Sequence, residues 1–159
     1  MGLEIEVEEV LLLETYNTGT PEQRDALRIV LPGYDFPLSI IEQVTTFEEA
    51  CNKLSIDPVY IAAISLPAEL KTSMIMAFIR LTIITAALNE DWVADNDLSQ
   101  EKHWPIQLLG NTIINGEPFI SPGAVPSSSL ALAFKSRELA NYAGTQFLQE
   151  YIDLSLEVF

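Results

Sequence analysis

A chain of 159 residues, 48% of them apolar and 19% charged, is long enough to bury one core and too apolar to be disordered throughout. Its 23 acidic against 8 basic residues give a net charge of −15, which repels nucleic-acid backbones and anionic membranes. Such a charge keeps a protein soluble, and it is also compatible with a basic protein partner or with mimicry of nucleic acid. A single cysteine excludes an intrachain disulfide, and the first residues lack a signal-peptide pattern, so we expect a cytoplasmic chain.

The first residues alternate between apolar and acidic side chains, a pattern that predicts a strand. Leu3, Ile5 and Val7 fall on one face of that strand, and Glu4, Glu6 and Glu8 fall on the other. The strand either pairs within its own domain or forms an arm that pairs with another subunit. Thr20 followed by Pro21 predicts a short helix, and residues 38–44 predict another strand. We assign residues 1–45 to a strand and arm region and residues 46–159 to the core domain.

Two short helices are predicted next. Thr46 and Glu49 form the pattern of a capping box, and an apolar stripe at helical spacing follows it. The stripe consists of Phe47, Ala50, Cys51 and Leu54. Asp57 before Pro58 predicts the start of the second short helix.

A long central helix is predicted over residues 67–89, with a length of about 35 Å. Residues 73–88 are almost uninterruptedly apolar and carry one charge, Arg80. The core stripe is expected to comprise Leu70, Met74, Ala77, Phe78, Leu81, Ile84 and Leu88. A second face formed by Ile75, Ile79 and Ile83 has no assigned neighbour: either the short strands and the N-terminal segment cover it, or it is an interaction surface for a partner. The run is too short for a membrane span, carries Arg80 at its midpoint and has acidic flanks.

Beyond an acidic loop over residues 89–102, the pattern changes to short strands at residues 106–109 and 112–114. Gly110-Asn111 and Asn115-Gly116 are both tight-turn signals, of which one is expected to form a hairpin. Ser136 predicts the N-cap of a final helix that ends near residue 157. Its buried stripe is expected to comprise Ala140, Ala143, Gly144, Phe147, Tyr151, Leu154 and Val158. The predicted fold is therefore α+β, with a small antiparallel sheet packed on the central helix (67–89) and the C-terminal helix (136–157).

The sequence predicts no catalytic residue, no cofactor site and no metal site. His103 is the only histidine, and Cys51 lies on an apolar helix stripe, where a thiol is normally inert. The acidic loop fails the calcium-loop pattern, because Gln100 stands where glycine is required and Ile106 where glutamate is required. A metal-dependent hydrolase would have to use the loop residues Asp91, Asp95, Asp97 and His103.

Four segments carry a family resemblance: Phe47–Cys51, Ile56–Pro58, Ala86–Trp92 and Leu132–Phe147. Over residues 46–157 the chain resembles a family of small uncharacterised proteins found in gut Bacteroidetes and in their phages and prophages. That family carries no known activity, so the resemblance implies no site residue. It does imply a phage or mobile-element accessory protein or a virion component.

Three functions are compatible with the sequence. The first is a non-enzymatic phage- or mobile-element-associated structural or accessory protein. It binds a protein partner or a second copy of itself through Glu4, Glu6, Glu8, Ile75, Ile79 and Ile83. The second is an acidic decoy that mimics nucleic acid, since glutamates at every second residue of a strand repeat at ~6.8 Å. The third, which we favour least, is the metal-dependent hydrolase.

Overall fold

The computed structural model describes residues 2–67, 70, 72–96, 99–108, 112–114 and 130–155. Eight helices lie in these ranges: α1 Gly2–Thr18, α2 Pro21–Val30, α3 Ile40–Gln43, α4 Phe47–Lys53, α5 Pro58–Ala62, α6 Thr72–Asn89, α7 Arg137–Gln146 and α8 Leu148–Ser155. Strands β1 Ile106–Leu108 and β2 Thr112–Ile114 pair antiparallel. The chain forms two compact units, Met1–Ser39 and Ile40–Phe159.

The predicted α+β fold is wrong, because helices build the core. Among the described residues, strand structure is limited to β1 and β2 and to a single bridge between His103 and Phe134. The two strands have three residues each and pair Ile106 with Ile114 and Leu108 with Thr112. A two-stranded hairpin of this size buries too little apolar surface to carry the sheet that was expected.

Both strands predicted in the first 45 residues are also wrong. Residues 2–18 form the 17-residue helix α1, although their first half alternates like a strand. Glu and Leu are strong helix formers, and after Gly2 the segment holds neither Pro nor Gly, so intrinsic propensity outweighs the short alternation. The segment predicted as a strand over residues 38–44 contains the helical turn α3, closed by a 3.0 Å bond from the Val44 N–H to the Ile40 carbonyl.

The helix starts predicted from capping residues are confirmed. The hydroxyls of Thr20, Thr46 and Ser136 accept hydrogen bonds from backbone N–H groups three residues ahead, at 3.1–3.3 Å. The Asp57 carboxylate accepts from the Val59 N–H at 2.9 Å. These bonds satisfy donors that the first helical turn leaves without a partner.

The core of the second unit surrounds α6. This helix begins at Thr72, five residues after the predicted start, and contacts α4, α7 and α8. The predicted pairing of the central and final helices is thus confirmed. The buried cluster comprises Val44, Phe47, Ala50, Cys51, Leu81, Ile83, Ile84, Ala87, Leu88, Phe134, Leu139, Ala140, Ala143, Phe147 and Tyr151.

The final helix is divided in two, which the sequence did not indicate. α7 ends at Gln146, and the backbone of its C-cap residue Phe147 (φ −110°, ψ 33°) leaves the helical region while the Phe147 N–H still donates to the Ala143 carbonyl at 2.9 Å. α8 begins at the next residue. Phe147 and Tyr151 are both buried in the core. Val158, expected on the same stripe, lies outside the described residues.

The first unit consists of α1, α2 and the segment that follows them. Gly19 and Thr20 connect the two helices, which contact each other. The ring of Tyr16 stacks on Phe36 with a centroid distance of 4.5 Å, and the Arg28 guanidinium lies 5.4 Å from the Tyr16 centroid. Tyr34 contacts Phe36 at 4.6 Å, so an aromatic cluster closes this unit.

Candidate interaction surface

Six large apolar side chains among the described residues of the first unit are exposed to solvent, and four of them are more than 60% exposed. The exposed fractions are 65% for Val10, 62% for Leu11, 78% for Ile29 and 71% for Val30. The first two residues belong to α1, and the other two end α2. We call these four residues the α1–α2 patch.

Hydrogen bonds place the two halves of the α1–α2 patch at the same end of the unit. The Tyr34 N–H donates to the Leu31 carbonyl at 3.1 Å, directly after α2. The hydroxyl of the same tyrosine donates to the Glu9 carboxylate at 2.9 Å, next to Val10 on α1. Because Tyr34 bonds both residues, α2 folds back along α1 and its end lies near the turn of α1 that holds Glu9.

Carboxylates flank the α1–α2 patch. Glu14 lies four residues after Val10, and Asp25 lies four residues before Ile29, so each is one helical turn from a patch residue. Both carboxylates are exposed. The unit 1–39 holds eight Asp and Glu and two Arg, a net charge of −6. Both arginines are half-buried.

Glu22 is a further acidic residue of the first unit and lies in the first turn of α2. The pKa of Glu22 is lowered, first by a backbone hydrogen bond within its own turn and then by the Thr20 hydroxyl. Both donors favour the ionised form, as expected at the positive end of a helix. The Glu22 carboxylate is therefore negatively charged at neutral pH.

Glu4, Glu6 and Glu8, the first predicted set of interaction residues, do not lie on a strand. All three lie on the helical backbone of α1, whereas the spacing of ~6.8 Å between alternate residues requires a strand. The regular row of carboxylates on which the decoy hypothesis depended is therefore removed. Their side chains lie outside the described part of the structure.

The second predicted set lies mainly against the core. Ile83 is 9% exposed and belongs to the buried cluster, and Ile79 packs against that cluster. Ile75, nearer the start of α6, is half-buried. The face that lacked an assigned neighbour in the sequence is thus covered to a large extent within the second unit.

Arg80, the single charge in α6, also has partners within its own unit. Its Nε donates to the Glu150 Oε1 at 2.6 Å, and its guanidinium lies 4.0 Å from the centroid of the Phe47 ring. Among the described residues, α6 is the one helix long and apolar enough to cross a membrane by length and composition. Core helices satisfy the same two criteria, and α6 contributes Leu81, Ile84 and Leu88 to the core.

The acidic loop and His103 do not assemble a metal site in the described residues, where no three His, Cys, Asp or Glu side chains converge. His103 is 6% exposed, and its backbone exchanges two hydrogen bonds with Phe134, at 2.8 and 3.0 Å. Its Nε2 lies 3.5 Å from the Glu101 carboxylate. Asp95 lies 3.9 Å from the Lys102 ammonium, and Asp97 is outside the described residues.

Cys51 is fully buried on α4, as its apolar stripe indicated. Burial raises the pKa of its thiol, and the nearby Glu48 carboxylate acts in the same direction. A raised pKa keeps sulfur in the protonated, unreactive form. These surroundings suit a core residue.

A polar cluster at the end of α6 was missed by the sequence analysis. Asn89 is 3% exposed, and its side chain donates to the Ala133 carbonyl at 2.7 Å and accepts from the Lys135 N–H at 3.0 Å. The Lys135 ammonium reaches the Asn89 carbonyl and the Glu90 carboxylate, both at 3.2 Å. Glu90 adopts a left-handed φ of 56°, so it ends the helix where glycine is the usual residue.

The α1–α2 patch was missed as well, although the sequence carried a signal for it. Residues 10–13 are four consecutive apolar residues, Val-Leu-Leu-Leu. On a strand two of them would face inward together, but on a helix successive residues are about 100° apart, so four in a row surround the helix. Some of them must then be exposed.

Comparisons with known proteins add no relative. No protein-family model matches the chain. No curated protein matches it. No solved structure matches it either. The resemblance of residues 46–157 to the gut Bacteroidetes and phage family therefore stays a prediction.

Proposed function

We propose that this chain is a non-enzymatic structural or accessory protein that acts by binding another protein, with the α1–α2 patch as its binding surface. The observation that carries the proposal is the exposure of Val10, Leu11, Ile29 and Val30, each above 60%. Single exposed apolar residues are common on protein surfaces, whereas several together mark interaction sites.

The surroundings of the chemically reactive side chains support a binding role over an enzymatic one. Cys51 is buried with a raised thiol pKa, and the His103 backbone bridges two segments of the core unit. Arg80 is engaged by Glu150 and Phe47. Each of these groups contributes to packing or to local hydrogen bonding.

The resemblance of residues 46–157 to proteins of gut Bacteroidetes and their phages supports a phage or mobile-element setting for this role. In that setting, an accessory protein works in the bacterial cytoplasm or as part of a virion. The first unit lies outside the resemblance, so a binding surface there would be specific to this chain.

Capture of binding proteins from an extract of the source cell tests the proposal. The full chain is immobilised beside the double variant Leu11→Ser/Ile29→Ser and the control Val93→Ser, which alters an exposed apolar residue of the other unit (76% exposed). We expect at least one protein to be retained by the wild type and the control and lost by the double variant. Identical sets of captured proteins on all three would contradict the proposal.

A further inference from the structure

We infer that the α1–α2 patch receives a cationic amphipathic segment of its partner, in which apolar side chains are flanked by Lys or Arg. This inference rests on the proposed function and specifies the chemistry of the occupant. It follows from the arrangement of apolar and acidic side chains on the first unit.

The apolar component comes from four exposed side chains on two helices. Val10 and Leu11 lie on α1, Ile29 and Val30 lie on α2, and Tyr34 bonds the neighbouring residues Glu9 and Leu31. A partner that covers the four apolar side chains removes apolar surface from water, which favours binding. Two helices side by side offer a surface on which a third helix can lay its apolar face.

The charge component comes from carboxylates at a fixed spacing from the patch. Glu14 and Asp25 are one helical turn from Val10 and Ile29, and Glu22 remains ionised because hydrogen bonds lower its pKa. The basic residues of this unit are Arg24 and Arg28, both half-buried, and Arg28 lies over the Tyr16 ring. A partner with Lys or Arg about one turn from its apolar residues would meet complementary charge along the whole contact.

The same charge disfavours the other occupants. A second copy would bring a unit of net charge −6 against another of −6, and like charges across an interface are costly. Anionic lipid surfaces and nucleic-acid backbones are repelled for the same reason. A basic protein segment is the occupant whose chemistry fits both components.

Peptide titration of the full chain tests the inference. The probe is a fluorescent Leu/Lys peptide of about 18 residues, or five helical turns. One control peptide has Glu in place of Lys, and another has Ser in place of Leu. We expect the Leu/Lys peptide to bind at least about tenfold more tightly than either control, and more weakly as salt is added.

Variants of the full chain locate the site. Leu11→Ser/Ile29→Ser removes apolar contacts, and Glu14→Gln/Asp25→Asn removes flanking charge. Because these side chains are exposed, folding should persist, which circular dichroism verifies. Each double variant should bind the Leu/Lys peptide at least about tenfold more weakly, whereas the control Val93→Ser should bind it like the wild type.

Several results would overturn the inference. They are failure of the Leu/Lys peptide to bind, equal binding of either control peptide, and binding that the double variants leave unchanged. Self-association abolished by Leu11→Ser/Ile29→Ser, or binding to zwitterionic vesicles lost in that variant, would assign the patch to another occupant. If the peptide fails while protein capture still depends on Leu11 and Ile29, the proposed function survives and the inference does not.

Discussion

Asn89 shows how one side chain can hold two distant segments together. Its amide group bonds the carbonyl of Ala133 and the N–H of Lys135, two backbone groups on the segment before α7. The residue is 3% exposed, so water has little access to replace either bond. An asparagine at the end of an apolar helix carries no sequence signature of this role, because its partners lie 44 and 46 residues away.

Replacement of Asn89 by alanine should therefore be strongly destabilising. The change leaves one buried acceptor and one donor without a partner, and the expected loss is about 2–4 kcal/mol in the free energy of unfolding. Urea denaturation followed by circular dichroism measures it. The matched control Asn52→Ala alters an exposed asparagine on α4 and should change stability by less than about 0.5 kcal/mol. Equal effects of the two variants would refute the role assigned to Asn89.

Arg80 was noticed in the sequence as a lone charge, but its contacts with Glu150 and Phe47 were not predicted. It stood out as the lone charge of an apolar run, which argued against lipid. Its partners Glu150 and Phe47 are 70 and 33 residues away in sequence, and only packing of α4 and α8 against α6 reveals them.

At the scale of elements, the helix caps and the paired short strands at residues 106–108 and 112–114 were predictable from sequence, whereas the segments predicted as strands near residues 3–13 and 38–44 contain helices. Thr20, Thr46, Asp57 and Ser136 act through residues two or three positions ahead, so their patterns are complete within a few letters. The alternation at residues 3–8 is equally local, but it covers too few residues to outweigh helix propensity over the 17 residues of α1. Periodicity decides an element only when it persists over its length.

The capping box of α4 should make part of the stability depend on pH. Hydrogen bonds to the Glu49 carboxylate, first from the Thr45 hydroxyl and then from the Thr45 N–H, lower its pKa. A depressed folded-state pKa adds stability above the pKa of the unfolded chain, and this contribution is lost as the pH falls through the folded-state value. Unfolding in urea between pH 7 and pH 3 should therefore show a loss below about pH 4.

Glu49→Gln should flatten this acid-induced loss, since the amide does not titrate. Glu48→Gln removes the same charge from the same turn without touching the hydrogen bonds of Thr45 and Thr46. It should keep the steeper pH dependence. A Glu49→Gln protein that loses stability on acidification as steeply as the wild type would show that the capping box is not responsible.

Gly19 is required at the junction of α1 and α2 because the backbone there is crowded. A Cβ atom at this position would lie 2.8 Å from the Thr15 carbonyl oxygen and 3.3 Å from the Gln23 Cβ. Gly19→Ala should destabilise the first unit by about 1–3 kcal/mol, measured as faster hydrogen exchange of the α1 and α2 amides. Gly33→Ala is the control, since its Cβ would meet no atom within 4 Å. Unchanged exchange in Gly19→Ala would remove the steric argument.

At the scale of the whole molecule, the sequence predicted several buried core residues correctly but did not predict the exposed α1–α2 patch. Phe47, Ala50, Leu81 and Tyr151 were all expected inside and are all buried. Burial on a helix follows from periodic spacing, which sequence displays directly. The α1–α2 patch depends on α1 being a helix and on its return contact with α2 through Tyr34, so an error in one element concealed the site.

The chain divides into two units, and the long apolar helix α6 belongs to the second. The second unit buries its long apolar helix α6 with its own helices, which removes the initial reason to require a partner there. The first unit exposes four apolar side chains by more than 60% beside carboxylates, and the second unit exposes Val59, Tyr60 and Val93 to a similar extent. The buried cluster lies within residues 40–155, and the proposed protein-binding surface lies within residues 1–39.

Site-specific photo-cross-linking in the source cell tests this assignment most directly. A photoreactive phenylalanine analogue replaces Leu11 of the first unit in one protein and Val93 of the second unit in another, two positions that are 62% and 76% exposed. We expect the analogue at position 11 to cross-link this chain to a different protein and the analogue at position 93 not to do so. The assignment is wrong if position 11 gives no cross-link, or if a partner protein is cross-linked from position 93 and not from position 11.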